Sequence, residues 1–345
     1  MVTIRDVALK AGVSKTTVSH ALSGRRPVAE ETRARIARAI DELGYQPNST
    51  AQSLATRRTG ILGMVYPLPE LGGSDLAAVE FIFSAADRMA SAGYKFLLLT
   101  TAYEDTQELL KVVRGGHVDG LILMEIRLAD ERVRMLREEG FPFVMIGRCR
   151  SNAGLDYVDI DASSAIYEGT KHLIGLGHKR IAFIGISPWD FGYTQRGLLG
   201  YKKALRDAGL SYDNILVRAC PYREGQGRKL IKELLGASRP FSAVITCGDL
   251  TAAEITGALR EEGVKVPDDM SVISFGNSPL CTFTIPPLTA LTTRAREMSE
   301  IAVDMLIRKL RGESLKRHQV LLRPELVIRG TTGPAPHDVA YQAVQ

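Results

Sequence analysis

From Ile61 onward, short apolar runs alternate with stretches of helical periodicity, and no other feature constrains the fold as strongly. The runs "ILGMVYP", "KFLLLTT", "GLILME", "FVMIGR", "LDYVDID", "RIAFIGIS", "SAVITCG" and "SVISFG" read as strands. Between them lie expected helices at 75–91, 104–114, 130–139, 161–175, 193–208 and 249–261. A late helix at 294–311 and two closing strands, "HQVLL" and "ELVIR", complete the series. Short apolar strands alternating with helices imply parallel sheets with right-handed crossovers, since a parallel pair needs a long connection and the helices cover the faces. There are too many units for one sheet. The expected fold class is α/β in two Rossmann-like lobes, the first built from about 60–160 and 291–320, the second from about 161–290 and 321–332. Residues 333–345 are expected to form an unpacked tail.

The chain before Ile61 has a different character. Residues 1–58 carry ten Lys/Arg against five Asp/Glu, whereas the whole chain carries 44 against 39. The remainder is therefore balanced, and the entire positive surplus sits in the first sixth of the molecule. A local surplus of this kind suits a phosphate backbone, with a merely solvated basic surface as the bland alternative. Within it, "TIRDVALKAGVSKTTVSHALSG" reads as two short helices. Thr3 and Asp6 stand in capping-box spacing, Ile4, Val7, Ala8 and Ala11 form an apolar face, Gly12 supplies a turn and Ser14 caps the second helix. There Val18, Ala21 and Leu22 point inward, while Lys15, Thr16, Ser19 and His20 share the opposite face. This is a helix-turn-helix pattern, with its second helix placed for a major groove. A third helix, "EETRARIARAIDELGY", has Ile36, Ile40 and Leu43 as its stripe and Gly44 as its stop. Segment 46–60, "QPNSTAQSLATRRTG", offers only Ala51, Leu54 and Ala55 for packing. It is either a plain linker or a helix that forms when something covers Leu54.

This N-terminal stretch, "TIRDVALKAGVSKTTVSHALSG…ETRARIARAIDELGYQPNSTAQSLATRRTGILG", resembles the LacI/GalR family of transcription regulators over its full headpiece and hinge. The resemblance implies a headpiece at 1–46, a hinge at 47–59 and an effector and dimerisation domain at 60–332. It implies that Lys15, Thr16 and His20 read bases, "TTVSH" being closest to purine-repressor-like members. Thr17 and Ser19 serve phosphates or helix packing, and Arg25, Arg26, Arg57 and Arg58 serve phosphates. Asn48 and Ser49 to Ala55 would form a hinge helix in the minor groove, with Leu54 as the wedge that opens a base step. Ala29 stands where many relatives place a capping Ser.

The resemblance continues through "YVDIDASSAIYEGTKHLIGLGHKRIAFIG", "QRGLLGYKKAL", "TCGDLTAAEITGAL", "IPPLTAL" and "RPELVIRGTT". These are similar to the family's effector domain, itself akin to periplasmic sugar-binding proteins, with the ligand in the cleft between lobes. By carry-over, Arg196 and Asp249 lead the ligand candidates, with a cleft-closing salt bridge as their structural alternative. Trp189 and Phe191 either stack on ligand or pack the lobes. Asp190, Arg148, Tyr222 and Asn277 complete the set. Two departures stand out: Gly276 occupies a position where the family usually carries Asp, and "PLPELGGSD" holds a small insertion.

Other classes fit poorly. There is no G-x-S-x-G, H-E-x-x-H or Walker loop, and six scattered His and four scattered Cys show no ligand spacing. No catalytic residue, metal or cofactor is expected. The charged N-terminus lacks the apolar core of a signal peptide, and no apolar run is long enough for a membrane span. The expectation is a cytoplasmic, homodimeric regulator of a palindromic DNA operator, answering to a small effector. A sugar is the first choice of effector. A purine-like corepressor or a protein partner is the alternative, and a free-standing solute-binding protein is the rival class.

Overall fold

A computed structural model describes residues 2–23, 26–45, 58–67, 76–237 and 240–337 of the chain. The N-terminal unit holds α1 (Ile4–Ala11), α2 (Lys15–Ser23) and α3 (Glu30–Leu43). The Asp6 carboxylate accepts from both the backbone N–H and the hydroxyl of Thr3, each at 2.8 Å, tying down the start of α1. Gly12 turns the chain at a φ of 64°, a left-handed conformation that costs other residues about 1 kcal/mol or more. Ser14 Oγ then accepts the Thr17 N–H at 3.0 Å and caps α2. Val7, Ala8, Ala11, Val18, Ile36 and Ala39 form the buried centre, with Ile4, Val13, Ala21, Leu22, Ile40 and Leu43 packed around it. α3 starts without a side-chain cap at Ala29.

The rest of the chain forms two six-stranded sheets. The first takes β1 (Ile61–Val65), β2 (Lys95–Leu99), β3 (Gly120–Leu123), β4 (Phe143–Ile146) and β5 (Tyr157–Ile160), with intervening helices α4 (Leu76–Ser91), α5 (Thr106–Arg114) and α6 (Glu131–Glu138). The second takes β6 (Ile181–Ser187), β7 (Val217–Pro221), β8 (Ala243–Thr246), β9 (Ser271–Phe275) and β10 (Thr289–Leu291). Its helices are α7 (Ala162–Gly175), α8 (Gly192–Asp207), α9 (Gln226–Gly236), α10 (Asp249–Glu261) and the short α11 (Leu280–Phe283). α12 (Ala295–Leu310) and β11 (Gln319–Leu322) return to the first lobe, and β12 (Leu326–Val327) closes the second. Strand order is β11-β5-β4-β3-β1-β2 and β12-β10-β9-β8-β6-β7. All pairs are parallel except β10 with β12.

In both sheets the strand order reverses beside the first strand, between β1 and β3 and between β6 and β8. Side chains just past the carboxyl ends of those strands open into a crevice. The local chemistry of the turns serves this arrangement, since Asp105, Asp130 and Asp161 cap α5, α6 and α7 by accepting backbone N–H groups.

Three parts of the structure depart from the sequence reading. β7 and α9 were not expected between 208 and 242. β7 is an edge strand containing Arg218 and Pro221, so it lacks the continuous apolar run that marks a central strand. β10 is only three residues long and follows a Pro-Pro pair. The tail expected from residue 333 is held at its start: Gly333 is buried, its carbonyl lies 3.1 Å from His178 Nε2, and Ala335 N–H donates to Leu176 O at 2.8 Å. His178 is itself buried between Ser242 and Ser271, so closing its hydrogen bonds pins the chain end.

Candidate functional site

On α2, Lys15 and Thr16 are exposed and Thr17, Ser19 and His20 are half-buried. Thr17 Oγ1 lies 2.8 Å from Ser14 Oγ, so its hydroxyl is already engaged in the helix cap. His20 Nδ1 is screened from solvent and has no hydrogen-bond partner among the described residues. Arg26 is exposed. Arg58 donates from Nη2 to Leu310 O at 2.8 Å, anchoring the start of the first lobe to the carbonyl end of α12. Arg25, Asn48, Ser49, Leu54, Ala55 and Arg57 lie outside the described residues, as does most of the insertion at 67–75.

The second site is a cavity between the lobes, with room for the centres of water molecules over about 110 Å³. Its walls come from the strand ends singled out by topology: Met124 to Ile126 after β3, Ile146 to Arg148 after β4, Ile186 on β6, and Cys247 to Asp249 after β8. Phe81, Ile160, Phe275 and Met298 make the surface mainly apolar, and Tyr193 and Tyr222 add aromatic walls. Of the expected ligand residues, Arg148, Tyr222 and Asp249 are brought together here. Asp249 is buried, accepting the Tyr222 hydroxyl at 2.7 Å and the Ser278 N–H at 3.1 Å.

The other candidates stand elsewhere. Arg196 and Asp249 do not pair; the Arg196 guanidinium reaches across to the carbonyls of Arg148 at 3.1 Å and Cys149 at 2.7 Å. Trp189 stacks on Phe183 at 6.4 Å inside the second lobe. Phe191 is fully buried against Tyr193 and the first lobe's Tyr103. Asn277 Oδ1 accepts from Arg329 at 2.7 Å outside the cavity. Together Asp190, Phe191 and Arg196 lock the lobes: Leu128 N–H donates to Asp190 O at 2.8 Å, Gly192 N–H donates to Ile126 O at 3.1 Å, and Arg127 approaches Asp190 at 3.6 Å.

Most of the cavity's apolar lining and two of its charged residues escaped the sequence reading. Asp159 on β5 holds Arg148 Nε at 2.9 Å, and burial, opposed by Arg148 and Arg196, pushes its carboxyl up to about 6. In "YVDID" it looks like any polar residue at a strand end. Glu125 has a φ of 54°, and its carbonyl accepts from the Tyr103 hydroxyl and from Arg132 Nη2. The sequence holds no signal for either, because both depend on which loops meet. Gly276 has a φ of 131°, and a Cβ there would stand 3.5 Å from the Asp249 Cγ. An Asp at 276 would be strained and would crowd Asp249, which gives the departure a physical reason.

Residues 3–48 match the model of bacterial regulatory proteins of the lacI family, and residues 170–332 match a periplasmic binding protein-like domain. The HTH-type transcriptional regulator AglR of Rhizobium meliloti (strain 1021) is 32% identical over 341 residues, covering 97% of this chain and 95% of AglR. This chain belongs to the lacI family. Among solved structures, a transcriptional regulator CelR–cellobiose complex is 29% identical with a TM-score of 0.73, covering 96% of this chain and all of that one. A lac repressor dimer bound to operator and the anti-inducer ONPF is 25% identical with a TM-score of 0.81, covering 96% and 99%. This lacI-family chain is thus a DNA-binding transcription regulator, and its family consists of regulators rather than enzymes. Its relatives match it across headpiece and lobes alike, which leaves a free-standing solute-binding protein without support. Among the described residues, no helix is long and apolar enough to cross a membrane, and no cluster of His, Cys, Asp or Glu is placed to hold a metal.

Proposed function

We propose that this regulator is a homodimeric, cytoplasmic repressor whose hold on a palindromic operator is set by a sugar bound between its lobes. The observation that carries this is the cavity itself, closed over by contacts from 126–128 and 148–149 to 190–196. A ligand that fills it favours the closed arrangement and shifts the lobe equilibrium by its differential affinity for the two states. The CelR–cellobiose complex supports a sugar as the ligand, and the lac repressor dimer on its operator supports the assembly.

Two headpieces are needed to read a two-fold site. Dimerisation has a surface suited to it: Leu76, Val79 and Phe83 form an exposed stripe on α4, and Phe83 is 70% exposed. These residues share a groove with Pro279 and Thr282 beside α11, where Phe283 and Ile285 are each 78% exposed. In each headpiece Lys15, Thr16, Ser19 and His20 form the groove-facing side. Arg25, Arg26 and Arg57 neutralise phosphates, and the hinge from Asn48 to Ala55 places Leu54 in the minor groove.

The test is to select operator sequences from a random DNA pool with the full-length protein, then follow binding by anisotropy as sugars are added. The expected result is a two-fold symmetric site and a change in affinity of about tenfold or more with at least one sugar. Loss of response to every sugar, with a response to a nucleobase, would transfer the cavity to a purine-like ligand.

A further inference from the structure

Charge in the cavity narrows the ligand class, on the reading that a sugar is what it holds. We infer that the cavity selects an uncharged polyhydroxylated ring over acidic and phosphorylated counterparts, with Asp159 and Glu125 as specificity-determining residues. The charged residues that line it are three acids, Glu125, Asp159 and Asp249, against one base, Arg148. Asp159 and Asp249 are 4% and 1% exposed, and one comes from each lobe. Asp159 accepts from Arg148 Nε and from the Ile160 N–H, both at 2.9 Å. Asp249 accepts from the Tyr222 hydroxyl, the Leu250 N–H and the Ser278 N–H.

An ionised carboxylate has roughly four acceptor sites and no donor. Asp159 and Asp249 both keep acceptor capacity for a ligand hydroxyl, and neither has a proton to give a ligand oxyanion. Arg148 already spends Nε on Asp159. The second nearby guanidinium, Arg196, is turned to the carbonyls of Arg148 and Cys149. A carboxylate or phosphate entering this mainly apolar space would lose its water beside three like charges.

The backbone at Glu125 points the same way. A non-glycine residue in the left-handed region is uncommon, and its strain persists only where the surroundings enforce it. Here the enforcing groups are the Tyr103 hydroxyl and Arg132 Nη2 on the Glu125 carbonyl, with Arg132 held by a 2.7 Å ion pair to Asp130, both buried. Tyr103 also packs at 5.8 Å on Phe191 of the opposite lobe. The support that fixes Glu125 in the cavity wall is thus the same group that meets the second lobe on closure.

The experiment is calorimetric titration of the full-length protein with matched pairs: glucose against glucuronate and glucose 6-phosphate, galactose against galacturonate, and cellobiose against its aldonate. At least one neutral sugar is expected to bind about 30-fold or more tightly than its acidic partner. In Asp159→Asn and in Glu125→Gln that ratio is expected to contract. Equal affinity for neutral and acidic partners overturns the inference while leaving the sugar reading intact, and so does a ratio unmoved in both variants. Failure of every sugar, neutral and acidic, with operator binding preserved, overturns the sugar reading and this inference with it. The ratio in the unsubstituted protein decides the matter even where a variant fails to fold.

Discussion

Asp159 carries a burden that solution measurements can detect. Its ordinary value is 3.8, and burial, against the opposing pull of Arg148 and Arg196, raises it to about 6. The folded protein therefore holds this proton more tightly than the unfolded chain. The resulting stabilisation is complete below about pH 4 and is lost as pH rises through about 6. At neutral pH the ionised group costs of order 3 kcal/mol. Asp159→Asn is expected to raise the melting temperature of the ligand-free protein at neutral pH and to flatten its decline between about pH 4 and 6. Identical melting profiles for the two proteins would show that water or motion relieves the burial. On α2, His20→Ala is expected to cost about 1–3 kcal/mol of discrimination at one or two base pairs. Repeating the operator selection with the variant measures this, and an unchanged consensus would make His20 a bystander. The position of His20 follows from i,i+4 spacing alone, because a helix face is a local property. That of Asp159 in a cavity wall does not, because the wall is assembled from loops far apart in sequence.

At the scale of elements, sequence periodicity served well wherever an element is packed on a continuous apolar surface. The strands β1, β3, β4, β6, β8 and β9 are built of apolar residues and glycine with only an occasional Ser or Thr, and they stood out. β7 and β10 did not, one being a polar edge strand and the other a three-residue segment held by its neighbours. The hinge belongs to a third kind. Its sequence offers only Ala51, Leu54 and Ala55 for burial, and we propose that contact with DNA supplies the packing a helix this short needs. Leu54→Ala is expected to weaken specific operator binding by about 2 kcal/mol or more, roughly 30-fold. The melting temperature of the free protein should stay unchanged. Anisotropy on operator and on scrambled DNA separates the two terms, and equal operator affinity would remove Leu54 from the wedge role.

For the whole molecule, function depends on linking two units that follow different physics: a basic three-helix reader and a two-lobed sensor. The link we propose is lobe closure. Arg196 contributes two hydrogen bonds across the cleft, each worth about 1 kcal/mol net. Arg196→Ala is accordingly expected to leave operator affinity within about twofold of the original while removing most of the ligand response. Full response in the variant would assign closure to the 126–128 and 190–192 backbone contacts alone.

The sequence by itself determined the class of molecule. Helix faces, turn residues, alternating strands and the placement of charge are encoded over a few neighbouring residues, and they sufficed for a helix-turn-helix reader joined to two parallel-sheet lobes. Only the tertiary structure decided the chemistry of the cavity. It turned Arg196 to the carbonyls of Arg148 and Cys149, packed a half-buried Trp189 on Phe183, buried Phe191, and brought Glu125, Arg148, Asp159 and Asp249 to one space. Those groups meet because two sheets reverse order at facing points. Their charges and strain arise from burial beside partners up to 124 positions apart in the numbering, a relation that no local pattern contains.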